Sequence, residues 1–317
     1  MNETPLMTKQ KIIAFASTVF FATTVLAETT PVMVSLWDTV QFPSREYDVA
    51  GIGLSPLYGQ CHDFAGFDVG LCQRRDGDFT GIGIGAINLH SLDCLSAIKS
   101  NACARVNQLS GAQIGGVLNV AGDVFGTQIV LYGGNFGFDV YGAQICGGGL
   151  LCTGAGPWGC NIAKHVHGMQ IGADSCNLTR SMDGVQIAGV ANFAGEFCGA
   201  QIGGLGNVAS EKFSKNVFGP FADEWQRTAS GVQIGGLFNV AERMNGMQIG
   251  GGFCNYSKHL CGAQIGGLFN LAAYMNGLQI GIFNYAETIE HGLQIGFWNQ
   301  IDNNGWAPLL PFVNGSF

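Results

Sequence analysis

The sequence predicts an all-β protein built from tandem repeats, and three observations carry this prediction. Glycine accounts for 50 of the 317 residues, whereas charged residues make up only 11% and apolar residues 47%. A short motif recurs about every 15–16 residues, and apolar and polar positions alternate within it. The apolar content argues against a disordered chain. The net charge of −8 argues against a nucleic-acid partner, which requires a basic surface.

Residues 1–27 have the pattern of a secretory signal peptide. Lys9 and Lys11 precede an apolar run over residues 12–27, which ends in Val25-Leu26-Ala27. A basic start, a moderate apolar stretch and small residues before the cleavage point are the three parts of such a signal. An uncleaved N-terminal anchor is the alternative. We therefore expect export, with residues 28–317 forming a single repeat-built β domain.

The repeat reads apolar-x-Gly-x-Gln-Ile-Gly, followed after one or two residues by apolar-Asn-apolar-Ala. We assign structural roles to its glutamines and to four of its asparagines. These are Gln113, Gln128, Gln144, Gln170, Gln186, Gln201, Gln233, Gln248, Gln264, Gln279, Gln294, Asn119, Asn239, Asn270 and Asn284. The doubled interval between Gln201 and Gln233 predicts two units, with Asn216-Val217 in the missing middle position. Decayed copies at Gly53, Asp68 and Gly83 extend the series upstream. A fixed period of this kind predicts a repeat architecture.

Strands are the predicted local structure because side chains alternate within a unit. Leu278, Ile280 and Ile282 alternate with Gln279 and Gly281, which is the period of a strand. Glycine this frequent would destabilise helices by about 1 kcal/mol at each interior position. Three stretches interrupt the repeat and predict insertions near residues 89–110, 146–168 and 209–230.

Two β architectures accept such a repeat, a β-solenoid and an outer-membrane up-and-down β-barrel. The export signal and the C-terminal Phe317 favour the barrel, in which each unit would be one antiparallel strand. The solenoid is favoured overall, because neither face of a unit has an unbroken apolar band. An apolar residue also stands two positions before each repeat glycine, where a solenoid corner points inward. Examples are Met182, Phe197, Met244, Leu260 and Met275.

The repeat resembles that of the bacterial surface repeat-containing proteins found in spirochaetes, legionellae and others. The resemblance is carried by units such as Gly262–Asn270 and Gly277–Asn284, an opening at Ser35–Pro43 and an aromatic close at Trp306–Phe317. It covers roughly residues 33–317. It implies export and a surface or envelope location, and it supplies no activity or catalytic residues. The many cysteines and the irregular stretch at 146–168 depart from the family pattern.

Residues capable of chemistry are present but do not form a recognised site. Cys61–Cys72, Cys94–Cys103 and Cys254–Cys261 could be local disulfides in an exported protein, or the cysteines could be small buried residues. Cys160, His165, His167 and Cys176 match no common zinc spacing. No Ser/His/Asp set can be assembled by spacing, so we expect no enzyme, no cofactor and no metal.

The repeated amides leave two alternatives open. They either form internal ladders or face outward in rows that could bind carbohydrate, and the internal arrangement is favoured. Aromatic residues such as Phe269, Phe283 and Trp298 could add stacking platforms or could pack against the next coil.

The function predicted from the sequence is that of a non-enzymatic, exported structural or adhesive repeat protein of the cell envelope of a Gram-negative bacterium. Its rigid stack would display the three insertions to an unknown surface ligand or host partner. The alternative is an outer-membrane pore or surface protein, with glutamine and glycine lining a lumen.

Overall fold

The computed structural model describes residues 29–90, 107–148, 160–210 and 229–317, and it consists of strands and turns. The signal peptide at residues 1–27 lies outside the described residues, as do Asn216-Val217, Cys94 and Cys103. The strands are β1 (Thr29–Trp37), β2 (Val40–Phe42), β3 (Asp48–Cys61), β4 (Phe64–Arg75), β5 (Phe79–His90), β6 (Gln108–Val120), β7 (Asp123–Val130), β8 (Gly134–Cys146), β9 (Cys160–Gly172), β10 (Cys176–Ala188), β11 (Ala191–Gly203), β12 (Gly206–Ala209), β13 (Ala229–Gly235), β14 (Phe238–Gly250), β15 (Cys254–Gly266), β16 (Phe269–Ile280), β17 (Phe283–Asn303) and β18 (Leu309–Ser316).

The strands stack in parallel and in register, so the fold is a β-solenoid with about 15 residues per turn and not a barrel. Equivalent residues of successive repeats lie side by side: Gln248 pairs with Gln264, and Gln264 pairs with Gln279. Parallel pairing links fifteen rungs from β1 to β17. At about 4.8 Å per rung the stack is about 70 Å long.

The uneven spacing of the buried positions shows that each turn of the solenoid has three sides. In β14, Asn239, Ala241, Met244 and Gln248 are buried, at successive intervals of two, three and four residues. Side chains of a straight strand alternate between its two faces, so the longer intervals mark two bends. The third bend is the glycine-rich turn that leads to the next asparagine.

The apolar core runs along the stack beside these bends. The residue two positions before each repeat glycine is buried in every example named from the sequence, with Met182, Phe197, Met244, Leu260 and Met275 only 1–3% exposed. Alanines such as Ala241, Ala272 and Ala286 join the same cluster. The core is therefore a column of medium-sized apolar side chains, packed between successive rungs.

The repeat glycine at the second bend tolerates no side chain. Gly246 has a φ of 139°, and a Cβ built there would lie 2.1 Å from the carbonyl oxygen of Gly231 on the preceding rung. We expect Gly246→Ala to destabilise the protein by at least about 1–3 kcal/mol through backbone strain alone. Urea unfolding followed by circular dichroism measures this. At Gly148 an added Cβ meets nothing within 4 Å. Gly148→Ala is therefore the control, and equal losses in both variants would contradict the steric explanation.

The doubled interval between Gln201 and Gln233 is one turn plus an insertion, so the prediction of two units is wrong. The two glutamines are adjacent rungs, because β11 pairs directly with β13 and β12 pairs with β14. The intervals from Gly83 to Gln113 and from Gln144 to Gln170 are likewise single steps. Each long interval therefore corresponds to a single step of the stack.

The flanks of the three predicted insertions belong to strands of the stack. Residues 160–168 belong to β9, and the flanks of the other two belong to β5, β6, β12 and β13. The described ranges end at His90 and Ser210 at one corner, between the alanine and core positions, and at Gly148 in the glycine-rich turn.

The two ends of the stack are closed by antiparallel strands. At the first rung, β2 pairs with β1, and at the last rung β18 pairs with β17. An uncovered parallel edge would offer free backbone groups to another chain, so such hairpins limit extension of the stack.

Candidate interaction surfaces

The eleven repeat glutamines form one buried column inside the solenoid. All are 0–1% exposed. From Gln128 onward, each Nε2 donates a hydrogen bond to the Oε1 of the glutamine on the preceding rung, at 2.7–3.0 Å, in an unbroken series of ten bonds between Gln113 and Gln294. The glutamines therefore satisfy one another, as amide ladders do in stacked sheets.

The repeat asparagines form a second buried ladder with the opposite polarity. From Asn88 to Asn284, each Nδ2 donates to the Oδ1 of the asparagine on the following rung, at 2.7–2.9 Å, and Asn299 is the last acceptor. The same amide also bridges the coil: Asn239 Nδ2 donates to the carbonyl oxygen of Ile249, ten residues further along its own turn. Asn119, Asn239, Asn270 and Asn284 all lie in this ladder. The outward rows considered from the sequence are therefore wrong, and these amides hold the coil together.

The two ends of the glutamine ladder show the direction of its hydrogen bonds. Gln113 Nε2 and Gln294 Oε1 have no hydrogen-bond partner in the described part of the chain. Upstream of Gln113 the column continues with Gly83, which has no side-chain oxygen to accept the bond. Downstream of Gln294 the antiparallel strand β18 places Asn314 opposite. The ladder ends where the repeat loses its glutamine.

A buried ion pair replaces the ladder in the first rungs. Asp68 occupies a glutamine position, and Arg75 Nη2 donates a hydrogen bond to its Oδ2 while both side chains are 0–1% exposed. Arg75 also donates to the carbonyl oxygen of Gly59 at 3.1 Å, and its guanidinium lies 5.0 Å from the ring centroid of Phe64. Gly53 leaves the space for the Asp68 carboxylate, since a Cβ at this position would lie 2.4 Å from Asp68 Oδ1. Sequence reasoning placed Asp68 in the column but missed its partner.

His90 lies next to this ion pair and is held neutral. Its ring packs edge-on against Phe79, with centroids 4.9 Å apart. Burial and the nearby positive charge of Arg75 lower the pKa of His90 to about 3. Burial thus disfavours the protonated imidazole far more in the folded state than in the unfolded chain.

We expect His90 to make the protein acid-sensitive. Its pKa is about 3 when folded against 6.5 for an ordinary histidine. The unfolded chain therefore binds the proton first as the pH falls. The contribution is fully present above about pH 6.5 and is lost as the pH falls towards about 3. Unfolding free energies measured across this range should decline less steeply in His90→Leu. The exposed His291 gives the control variant His291→Asn, which should keep the wild-type slope.

The cysteine pairs proposed from the sequence are not disulfides where the structure describes them. Cys61, Cys72, Cys254 and Cys261 are free thiols. Cys254 and Cys261 are seven residues apart on one strand, and Cys72 pairs with Tyr58, three residues from Cys61. A disulfide needs Cα atoms within about 7 Å. Burial raises the pKa of Cys61 to about 11, so this thiol stays protonated at neutral pH.

Among the described residues, Asp48, His62 and Asp63 bring three groups of metal-ligand type close together. His62 Nδ1 lies 3.3 Å from carboxylate oxygens of both Asp48 and Asp63. The same two oxygens already accept backbone N–H groups of Asp63 and Asp78 on the following rungs. The two carboxylates therefore link successive rungs at this corner by hydrogen bonds. These bonds account for the alignment of the carboxylates without a ligand.

The side of the coil that flanks the core column carries the polar surface residues, and we call it the polar face. Phe125, Tyr141 and His167 stack there on successive rungs with centroids 5.0 Å apart, and His167 contacts Asp183. His165 also lies on this face, whereas Cys160 and Cys176 are buried. The arrangement separates the histidines from the cysteines.

A groove of about 520 Å³ opens on the polar face near the C-terminal end. His259 and Tyr274 stack there with centroids 4.9 Å apart, and the next rung has the small Thr288, so one side of the Tyr274 ring lacks a stacking ring. Burial and Arg243 lower the pKa of His259, which keeps the imidazole neutral. The groove thus combines an aromatic ring with hydrogen-bonding groups.

A bulge adds an acidic group to this groove. β16 and β17 lose register after Met275, because Glu290 is an extra residue between the core position and the repeat glycine. Asn276 and Asn304 complete the lining beside Glu290. Bulges often re-aim side chains at functional surfaces. Carboxylate, amide and phenol groups can together donate and accept hydrogen bonds with a hydroxyl-rich ligand.

Two of the aromatic residues suggested as stacking platforms, Phe269 and Phe283, pack against each other. Phe253, Phe269 and Phe283 form a column along the glycine-rich corner, with centroids 5.3–5.7 Å apart. Phe269 and Phe283 stack at an interplanar angle of 21°, so each covers a face of the other. Trp298 lies on the same corner and is 45% exposed.

The third side of the coil is apolar and carries the residues directly before and after each glutamine. We call it the apolar face. The column after the glutamine is Leu54, Val69, Ile84, Ile114, Ile129, Ile145, Ile171, Ile187, Ile202, Ile234, Ile249, Ile265, Ile280 and Ile295. Its members are half-buried to exposed, Ile202 being 40% and Ile234 39% exposed.

The described residues contain no helix that could cross a membrane. Comparisons of this chain with protein-family models, with curated proteins and with solved structures find no match.

Proposed function

We propose that the protein is an exported, non-enzymatic structural or adhesive element of a bacterial cell envelope. The observation that carries the proposal is the continuous parallel stack of fifteen rungs from β1 to β17. Two continuous amide ladders run through most of it and fix the spacing of every surface column. A rod of about 70 Å built in this way suits the rigid display of surface features. The signal-like residues 1–27 and the resemblance to surface repeat-containing proteins support export to the envelope or surface.

An outer-membrane pore receives no support from the fold. The glutamines and glycines that would have lined a lumen lie in a packed interior, where Gln201 and Gln233 are 0% exposed and bonded to each other. We therefore do not propose the pore. The partner of the rod is an unknown surface ligand or host molecule, and the acidic chain makes nucleic acid an unsuitable partner.

Export is tested by producing the full chain in a Gram-negative host and fractionating the cells. We expect processing after Ala27 and recovery of the mature protein from the envelope or the medium, where added protease can reach it. Ala27→Glu replaces the small residue required before the cleavage point and should block processing. An unprocessed protein confined to the cytoplasm would contradict the proposal.

The adhesive role is tested on the groove at the C-terminal end of the polar face. Purified protein should bind members of a panel of immobilised saccharides, and the combined variant Tyr274→Ala/Glu290→Gln should lose that binding. Tyr141→Ala is the matched control, because Tyr141 is an exposed aromatic residue of the same face in a different column. Binding that survives the groove variant, or that both variants lose equally, would remove the groove from the proposal.

A further inference from the structure

The apolar face forms an uncharged strip along the whole stack. Its second column, directly before the glutamines, is Ile52, Phe67, Ile82, Ala112, Thr127, Ala143, Met169, Val185, Ala200, Val232, Met247, Ala263, Leu278 and Leu293. Val32 and Val34 of β1 extend the two columns by one rung. Neither column contains a charged residue, and Thr127 is the one polar side chain in them.

The neighbouring corner widens this strip. On one side the face is bordered by the repeat glycines. On the other side lies the glycine-rich corner, whose exposed residues include Leu205, Leu237, Phe253, Leu268, Ile282 and Phe297, at 40–63% exposure. Monomeric soluble proteins rarely leave contiguous apolar patches larger than a few hundred Å². This strip exceeds that size, which indicates a surface that is covered in use.

The apolar face together with the glycine-rich corner beside it approaches the dimensions of a dimer interface. The two columns stand two residues apart, which is about 7 Å at about 3.3 Å per residue, and the stack is about 70 Å long. The columns alone therefore span about 500 Å² per copy, and the exposed corner residues add to this area, whereas a specific interface of standard size buries about 800 Å² per partner.

Shape and charge favour a second copy of this chain as the occupant. The face is a parallel sheet with one side-chain row per rung of about 4.8 Å, and sheets pack face to face about 10 Å apart. A second copy has the same length, spacing and absence of charge. Surfaces that lie on membranes generally carry Lys or Arg beside the apolar residues. In the described chain no Lys or Arg lies in either column or among the corner residues named above, and the net charge is −8.

We propose that the apolar face is the interface of a closed homodimer, in which the same face of two solenoids packs together. Such an isologous contact uses the surface once and ends the assembly at two chains. The inference does not rest on the proposed envelope role. It concerns the purified protein, so it can fail while export succeeds, and the reverse is equally possible.

The test is sedimentation of the purified protein without detergent, at micromolar concentrations. The wild type should sediment at about twice the mass of one chain. The variant Ile202→Lys/Ile234→Lys places two charges in the centre of the face. It should weaken dimerisation by at least about 100-fold, because a buried charge without a partner is strongly unfavourable. Ser181→Lys/Ser230→Lys is the control, since it adds the same charge to the polar face of nearby rungs and should remain dimeric.

Circular dichroism should show the same strand content in all three proteins. If the lysine variant unfolds, Ile202→Thr/Ile234→Thr retains the β-branched shape and should still weaken the dimer. A monomeric wild type would overturn the proposal. So would a dimer that neither apolar-face variant weakens, or an open series of larger assemblies. Binding of a monomeric wild type to phosphatidylcholine vesicles would identify a lipid surface as the occupant instead.

Discussion

Replacing Arg75 with methionine is expected to destabilise the protein by about 3–5 kcal/mol, since it leaves a buried carboxylate without its partner. Asp68 is 0% exposed, and Arg75 is the cation that contacts it. Burial lowers the pKa of the Arg75 guanidinium. Arginine nevertheless remains protonated at neutral pH because its ordinary pKa is very high. The pair is therefore ionic in the folded protein. Denaturant unfolding of the variant measures the loss.

The double variant Asp68→Asn/Arg75→Met shows how much of this loss comes from the unpaired carboxylate. Removing both charges eliminates the unpaired carboxylate, so the double variant should be more stable than Arg75→Met alone. A loss below about 1 kcal/mol in Arg75→Met would show instead that the carboxylate finds water or protonates at little cost. The comparison also tests whether the first rungs depend on this pair in place of the ladder.

Breaking the glutamine ladder in its middle is expected to destabilise the fold by about 2–6 kcal/mol. In Gln201→Leu, Gln186 Oε1 loses its donor and Gln233 Nε2 loses its acceptor, and both atoms are buried. Each unsatisfied buried group costs about 1–3 kcal/mol. Thermal and denaturant unfolding of the purified variant give the value.

A substitution at the ladder end provides the matched control. Gln113→Leu removes an Nε2 that has no partner among the described residues, and it affects one neighbour, Gln128. Gln128 Nε2 retains the carbonyl oxygen of Phe136 at 3.3 Å. We therefore expect less than half the loss found for Gln201→Leu. Equal losses would mean that the ladder polarity described above does not govern stability.

Much of the fold could be predicted from the repeat itself. The spacing of the glutamines located the rungs, including the decayed ones at Gly53, Asp68 and Gly83, which stack beneath Gln113 as expected. The apolar residue before each repeat glycine was correctly assigned to the interior. Both follow from the chain alone, because strand alternation and a fixed period state which positions are equivalent.

Other features could not be predicted from the sequence, because they depend on which turns of the chain are neighbours in the stack. The doubled interval after Gln201 fits two turns or one turn with an insertion equally well, and the direct bond between Gln201 and Gln233 decides the matter. The groove went unnoticed because its lining residues come from several rungs and from the turn at Asn304. The extra residue Glu290, before Gly292, was the available signal.

The sequence by itself determined that this chain is a β repeat protein and which residues occupy equivalent positions in it. The tertiary structure decided that the two amide ladders run in opposite directions, that Arg75 pairs with Asp68, and that one side of the coil is an uncharged strip along the whole stack. The physical reason is that a repeat fixes positions along the chain. Hydrogen-bond direction, ion pairing and surface continuity arise between rungs, once parallel stacking in register brings equivalent positions about 4.8 Å apart.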